Sequence, residues 1–133
     1  MTVLSTAGPT DGAGMPPAPR PVRRTLLIIG GAEDKLGRSV VLRRFVRLAG
    51  GRSSRIVVIP TASSFSAEAA ALYRTVFARL KAGPDVQIVH PPTRAAASSP
   101  EFVATIDAAT GVFMTGGSQL KLSQNVVGTP VGD

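Results

Sequence analysis

Four short apolar runs set the limits on what this chain folds into. Thr25-Leu26-Leu27-Ile28-Ile29 stops at Gly30-Gly31, and Arg55-Ile56-Val57-Val58-Ile59 stops at Pro60. Val86 to His90 stops at Pro91-Pro92, and Gly111-Val112-Phe113-Met114-Thr115 stops at Gly116-Gly117. Continuous apolar runs of this length suit strands buried on both faces of a parallel sheet. Between them the period becomes helical. From Leu36 to Ala49 an apolar face is built by Val41, Leu42, Phe45, Val46, Leu48 and Ala49, and Gly50-Gly51 ends it. Ser66 is read as the cap of a helix to about Ala82, with Ala69, Leu72, Tyr73, Val76 and Leu80 facing inward. Ser99-Pro100-Glu101 supplies a cap, a first-position proline and an acid in the first turn of a helix bearing Phe102, Val103 and Ile106. A short helix from about Ser118 to Asn125 follows the last strand. The alternation predicts an α/β chain with a parallel sheet and right-handed crossovers.

The 133 residues suffice for one domain. Five of the eleven prolines fall in the first 21 residues, among glycines, so residues 1–22 are expected to be a disordered tail and 23–133 the folded domain. No apolar run approaches the ~20 residues of a membrane helix, and no secretory signal is visible at the start. A cytoplasmic protein with no membrane partner is therefore expected. Cysteine is absent and His90 is the only histidine, which leaves no disulfide, no Cys-ligated metal and no His-rich site.

Basic residues are concentrated. Residues 20–55 hold ten of the fifteen lysines and arginines and two of the eight acids, and Arg43, Arg44 and Arg47 share one helix face. That face suits a polyanion. It equally suits a solvated surface. With one tyrosine and no tryptophan for base stacking, nucleic acid is not the expected partner.

In a parallel sheet the loops after the strands share one edge, where ligands bind. Three segments meet there: Gly30 to Lys35, Pro60 to Ser64 and Thr115 to Gln119. Gly30-Gly31-Ala32-Glu33-Asp34-Lys35-Leu36-Gly37 matches neither the dinucleotide G-x-G-x-x-G nor the phosphate loop G-x-x-x-x-G-K-[ST], so no nucleotide cofactor is expected. Thr115-Gly116-Gly117-Ser118-Gln119 could turn backbone N–H groups toward a developing oxyanion. The same residues also make a tight strand-to-helix turn with Ser118 as N-cap, and spacing alone favours that turn. Ser118 lacks the G-x-S-x-G elbow of a nucleophile, since Leu120 stands two residues on. His90 is read as an ordinary strand-end histidine.

Taken together, four segments resemble the cyanophycinase family of serine-type peptidases: Leu27 to Lys35, Phe45 to Gly51, Arg55 to Ser63 and Ala109 to Gly117. The resemblance spans roughly residues 25–131. It implies a flavodoxin-like three-layer fold, here truncated after about four strands, and hydrolysis of the Asp-Arg polymer cyanophycin to β-Asp-Arg dipeptides without metal or cofactor. The implied partners are an arginine-rich polyaspartate or peptide substrate and, in the full-length family, a second copy in a homodimer.

By position, Gly116 and Gly117 correspond to the family's oxyanion-side turn and Gln119 to its substrate-contacting glutamine. Ser118 stands where the family usually has Asp. Glu33 and Asp34 lie at the same edge, and charge suggests that they pair with a substrate arginine. The family's Gly-Thr-Ser-Ala-Gly elbow and its later histidine and acid have no counterpart here. No catalytic residue is therefore assigned, and the chain is expected to be an N-terminal fragment, inactive alone. Alternatives are a non-catalytic binding fragment or half of a split enzyme, and a small basic polyanion-binding protein. The missing neighbour is also expected to leave the strand Val112 to Thr115 with an unpaired edge, favouring self-association.

Overall fold

The computed structural model describes residues 2–5, 24–30 and 33–133. Apart from Thr2–Ser5, the expected tail at 1–22 lies outside the described residues. The elements run β1 (Thr2–Ser5), β2 (Arg24–Leu27), α1 (Val40–Leu48), β3 (Ile56–Ile59), α2 (Ser66–Arg79), β4 (Gln87–Ile88), α3 (Pro100–Asp107), β5 (Gly111–Met114) and α4 (Gln119–Asn125). One sheet has the order β2-β1-β5-β3-β4. Its heart is parallel: β3 lies between β5, with Val57 opposite Val112, and β4, with Val58 opposite Ile88. This is the three-layer α/β arrangement of a truncated flavodoxin-like fold.

Strand alternation sorts the core onto the two faces. Ile56 and Val58 of β3 and Phe113 of β5 meet Leu42, Phe45 and Val46 of α1 and Tyr73, Val76 and Phe77 of α2. Val57, Ile59, Val112 and Met114 point the other way, onto Phe102, Val103 and Ile106 of α3 and Leu122 of α4. Four aromatic rings close the first layer, with Phe113 4.6 Å from Tyr73, 5.4 Å from Phe77 and 5.5 Å from Phe45.

Three features depart from expectation. First, β5 is not an open edge. Thr2–Ser5 pairs antiparallel with it, Val3 opposite Val112, and pairs antiparallel with β2 on its other side, Val3 opposite Leu26. A backbone edge is satisfied by any extended segment that reaches it, and here the chain's own start does so. Second, β2 is not buried on both faces. Leu27 and Ile29 pack against the α1–α2 layer, whereas Leu26 is 52% and Ile28 74% exposed. α3 and α4 pack over β3 and β5, and among the described residues no helix covers the other side of β2. Third, Ser66 is not a cap. Phe65 holds the N-cap position of α2, and Ser63 supplies the local turn by accepting the Phe65 N–H at 3.1 Å.

Candidate functional site

A cavity of about 500 Å³ opens at the carboxyl ends of β2 and β5, against the first half of α2. Each of the three strand-end segments contributes to it. Glu33 and Lys35 come from the first, Ser63 from the second, and Thr115, Gly116 and Gly117 from the third, with Tyr73 and Leu72 of α2 as the facing wall.

The glycine turn is built by close backbone approach. Gly117 has φ 145°, and its Cα lies so near β3's loop that an added Cβ would stand 2.1 Å from the Ala62 carbonyl oxygen. Ser118 N–H donates to that same oxygen at 2.8 Å. Its hydroxyl accepts the Lys121 N–H at 3.3 Å, so Ser118 is the N-cap of α4. Among the described residues, the Gly116 and Gly117 N–H groups have no hydrogen-bond partner within the protein. Two backbone donors therefore stand at the cavity wall. The nearby Thr115 hydroxyl is buried and has no partner among the described residues.

In the lining of the same cavity Glu33 joins a charged cluster. Its Oε1 accepts the Tyr73 hydroxyl and lies 3.1 Å from Lys35 Nζ, which in turn sits 5.7 Å from the centre of the Tyr73 ring. Both partners fall on Oε1. Oε2 has no side-chain donor among the described residues. Burial opposes the Glu33 charge, but the Tyr73 hydroxyl, a backbone N–H and the Lys35 ammonium outweigh it and hold the carboxyl below its ordinary value. Tyr73 is pushed upward by burial first and by the Glu33 charge second.

Asp34 is differently used. Its carboxylate accepts the N–H groups of Leu36 (3.1 Å), Gly37 (2.6 Å) and Ser39 (3.2 Å), and it does not line the cavity. Those N–H groups, Gly37 foremost, hold its carboxyl low. Gln119 also stays outside the cavity, exposed at the start of α4. His90 Nδ1 lies 3.2 Å from the Thr61 hydroxyl, away from this cavity. No sequence motif gives Lys35 or Tyr73 a site role, and Ser63 lacks the G-x-S-x-G pattern of a nucleophile. Lys35 was visible beside Glu33 in the strand-end segment, whereas Tyr73 looked like one more inward-facing ring.

The two low carboxyls set a pH dependence. Each favours its charged form in the fold, so its contribution is present at neutral pH and lost as pH falls through the lowered folded values. Stability should begin to decline below the ordinary values of 4.5 for Glu33 and 3.8 for Asp34. Melting curves between about pH 3 and 6 check this. Glu33→Gln should flatten the upper part of the decline and Asp34→Asn the lower part, and an unchanged profile in both would contradict the assignment.

Residues 26–131 match the sequence profile of Peptidase family S51. The chain belongs to this family. A cyanophycinase of Nostoc sp. is 36% identical over 113 residues, covering 85% of this chain and 38% of the relative. A cyanophycinase of Geminocystis herdmanii is 33% identical over 110 residues, covering 83% and 40%. One of Thermosynechococcus vestitus is 38% identical over 106 residues, covering 80% and 33%. The chain thus spans about two fifths or less of the length of these S51 relatives. Gly116, Gly117 and Glu33 all lie within the matched region. Among the described residues of this S51 chain, no helix is long and apolar enough to cross a membrane. No group of three or more metal-ligating side chains is present among them either.

Proposed function

We propose that this chain forms the substrate-binding side of a cyanophycinase-like serine exopeptidase acting on the Asp-Arg polymer. The observation that carries the reading is that one cavity is lined both by Gly116 and Gly117, whose backbone donors have no partner among the described residues, and by the Glu33 carboxylate. In acyl transfer, attack on a peptide carbonyl puts negative charge on its oxygen, and backbone N–H donors stabilise that charge. The Glu33 Oε2 lone pairs suit a guanidinium, which donates in a planar fork. Asp34 drops out of this role because the backbone already occupies its carboxylate. Gln119 keeps a role only toward a ligand that extends beyond the cavity over the start of α4. No serine of this chain stands in a G-x-S-x-G elbow, so hydrolysis needs residues other than these.

The test is calorimetric titration of the chain with β-Asp-Arg, beside incubation with cyanophycin. Wild type should bind the dipeptide, and Glu33→Gln should weaken binding about 10- to 100-fold, the worth of one charge-assisted hydrogen bond. The polymer should stay intact. Absence of binding by wild type would defeat the reading. Dipeptide release abolished by Ser118→Ala would place the nucleophile in this chain instead.

A second reading is favoured by the exposure of Arg43, Arg44 and Arg47 along α1. It makes the chain a polyanion binder. Heparin affinity falling steeply with salt would support it, and a weak, salt-insensitive response would remove it.

A further inference from the structure

We propose that Arg79, in the last turn of α2, is a positioning residue that fixes the 33–39 loop so that Glu33 and Lys35 face the cavity. The inference rests on the reading of that cavity as a ligand site and adds what shapes it. The loop belongs to no helix or strand, so its backbone groups must find partners elsewhere. Arg79 Nη1 donates to the Leu36 carbonyl at 2.5 Å, and Nη2 donates to the Lys35 carbonyl and, at 2.8 Å, to the Ser39 hydroxyl. One rigid planar fork therefore holds three points of the loop at once.

Asp34 takes the complementary set. Its carboxylate accepts the N–H of Leu36, whose carbonyl is held by Arg79, and it also holds Gly37 and Ser39. Outward carbonyls go to α2 and inward N–H groups to the loop's own carboxylate. Ser39 then closes the loop in the left-handed conformation, φ 48° and ψ 42°, although it is not glycine and is buried. A side chain held in that region is sustained by its surroundings. The Arg79 contact to its hydroxyl is one such constraint. Six residues earlier on the same helix, Tyr73 holds Glu33. α2 thus grips the loop on both sides of Lys35, and the two cavity charges inherit their geometry from that grip.

The experiment compares wild type, Arg79→Ala and Arg79→Lys by amide hydrogen exchange of the full chain and by titration with β-Asp-Arg. In Arg79→Ala, the Leu36, Gly37 and Ser39 amides should exchange at least about tenfold faster while β3 amides keep their protection. Dipeptide affinity should fall several-fold. Guanidinium ion at a non-denaturing concentration should restore both, and lysine should not, because an ammonium cannot span three acceptors in one plane. Loop amides that stay protected in Arg79→Ala would overturn the inference. So would unchanged dipeptide affinity once their protection is lost. Failure of wild type to bind the dipeptide would defeat the functional reading, and the exchange measurement would still decide whether Arg79 holds the loop.

Discussion

Replacing Gly117 by alanine is expected to cost about 2–3 kcal/mol and to lower Tm by about 8–12 °C. Two independent causes act together. The backbone at φ 145° is one that side chains rarely adopt. An added Cβ would also stand 2.1 Å from the Ala62 oxygen and 2.5 Å from its carbonyl carbon. Retreat is blocked, because the Ala62 oxygen is the acceptor of the Ser118 N–H that fastens the turn to β3's loop. Relief requires breaking that bond and shifting the N-cap of α4. The Gly117 N–H moves with it, so dipeptide binding should be lost as well. Gly116 is the control. An added Cβ there meets nothing within 4 Å, and Gly116→Ala should stay within about 0.5 kcal/mol of wild type. Thermal denaturation of the two variants side by side checks the claim, and equal melting would overturn it.

Much of the fold could be read from periodicity, because the packing follows it. In β3, Ile56 and Val58 go to one layer and Val57 and Ile59 to the other, as alternation requires. Pro100 at the start of α3 and Ser118 at the start of α4 act as helix-start residues by their own chemistry. Periodicity cannot report whether a face is covered. Leu26 and Ile28 are as apolar as Leu27 and Ile29, yet among the described residues α3 and α4 do not reach them. Nor does composition exclude pairing at Thr2–Ser5, four residues before the first proline, where a free strand edge accepts an extended segment.

The lining of the candidate site is legible in the sequence for Gly116 and Gly117 and only half legible for the charges. Glu33 and Asp34 are adjacent and alike in sequence, yet they diverge by one methylene. The shorter Asp34 reaches the N–H groups two, three and five residues on, and it folds the loop about itself. The longer Glu33 extends to Tyr73, forty positions away. Helical spacing correctly turned the Tyr73 ring inward. Where its hydroxyl ends depends on how the 33–39 loop crosses α2, and that depends on Arg79. Such a dependence joins distant residues through backbone carbonyls, which carry no sequence signature.

Phe113→Ala should be the most damaging single change, at about 3–5 kcal/mol. Phe113 is 2% exposed on β5, the strand paired with β3 on one side and β1 on the other. Its ring meets Phe45 of α1 and Tyr73 and Phe77 of α2 at 4.6–5.5 Å, so it joins both helices to the sheet. No other ring of the cluster lies on a strand, and truncation leaves a void that three rings from two helices cannot fill without leaving their own contacts. Domains of this size hold only about 5–15 kcal/mol in total, so the variant should be substantially destabilised. The site should fail with it. Phe113 lines the cavity beneath Tyr73. Without that support the tyrosine can sink, withdraw its hydroxyl from Glu33 and release the carboxylate. Phe113→Leu keeps most of the volume and should cost less than half as much while retaining dipeptide binding. Urea denaturation separates these effects, since a lower midpoint at unchanged slope reports stability alone. An unfolding free energy for Phe113→Ala within about 1 kcal/mol of wild type would mean that the aromatic cluster does not hold α1 and α2 to the sheet.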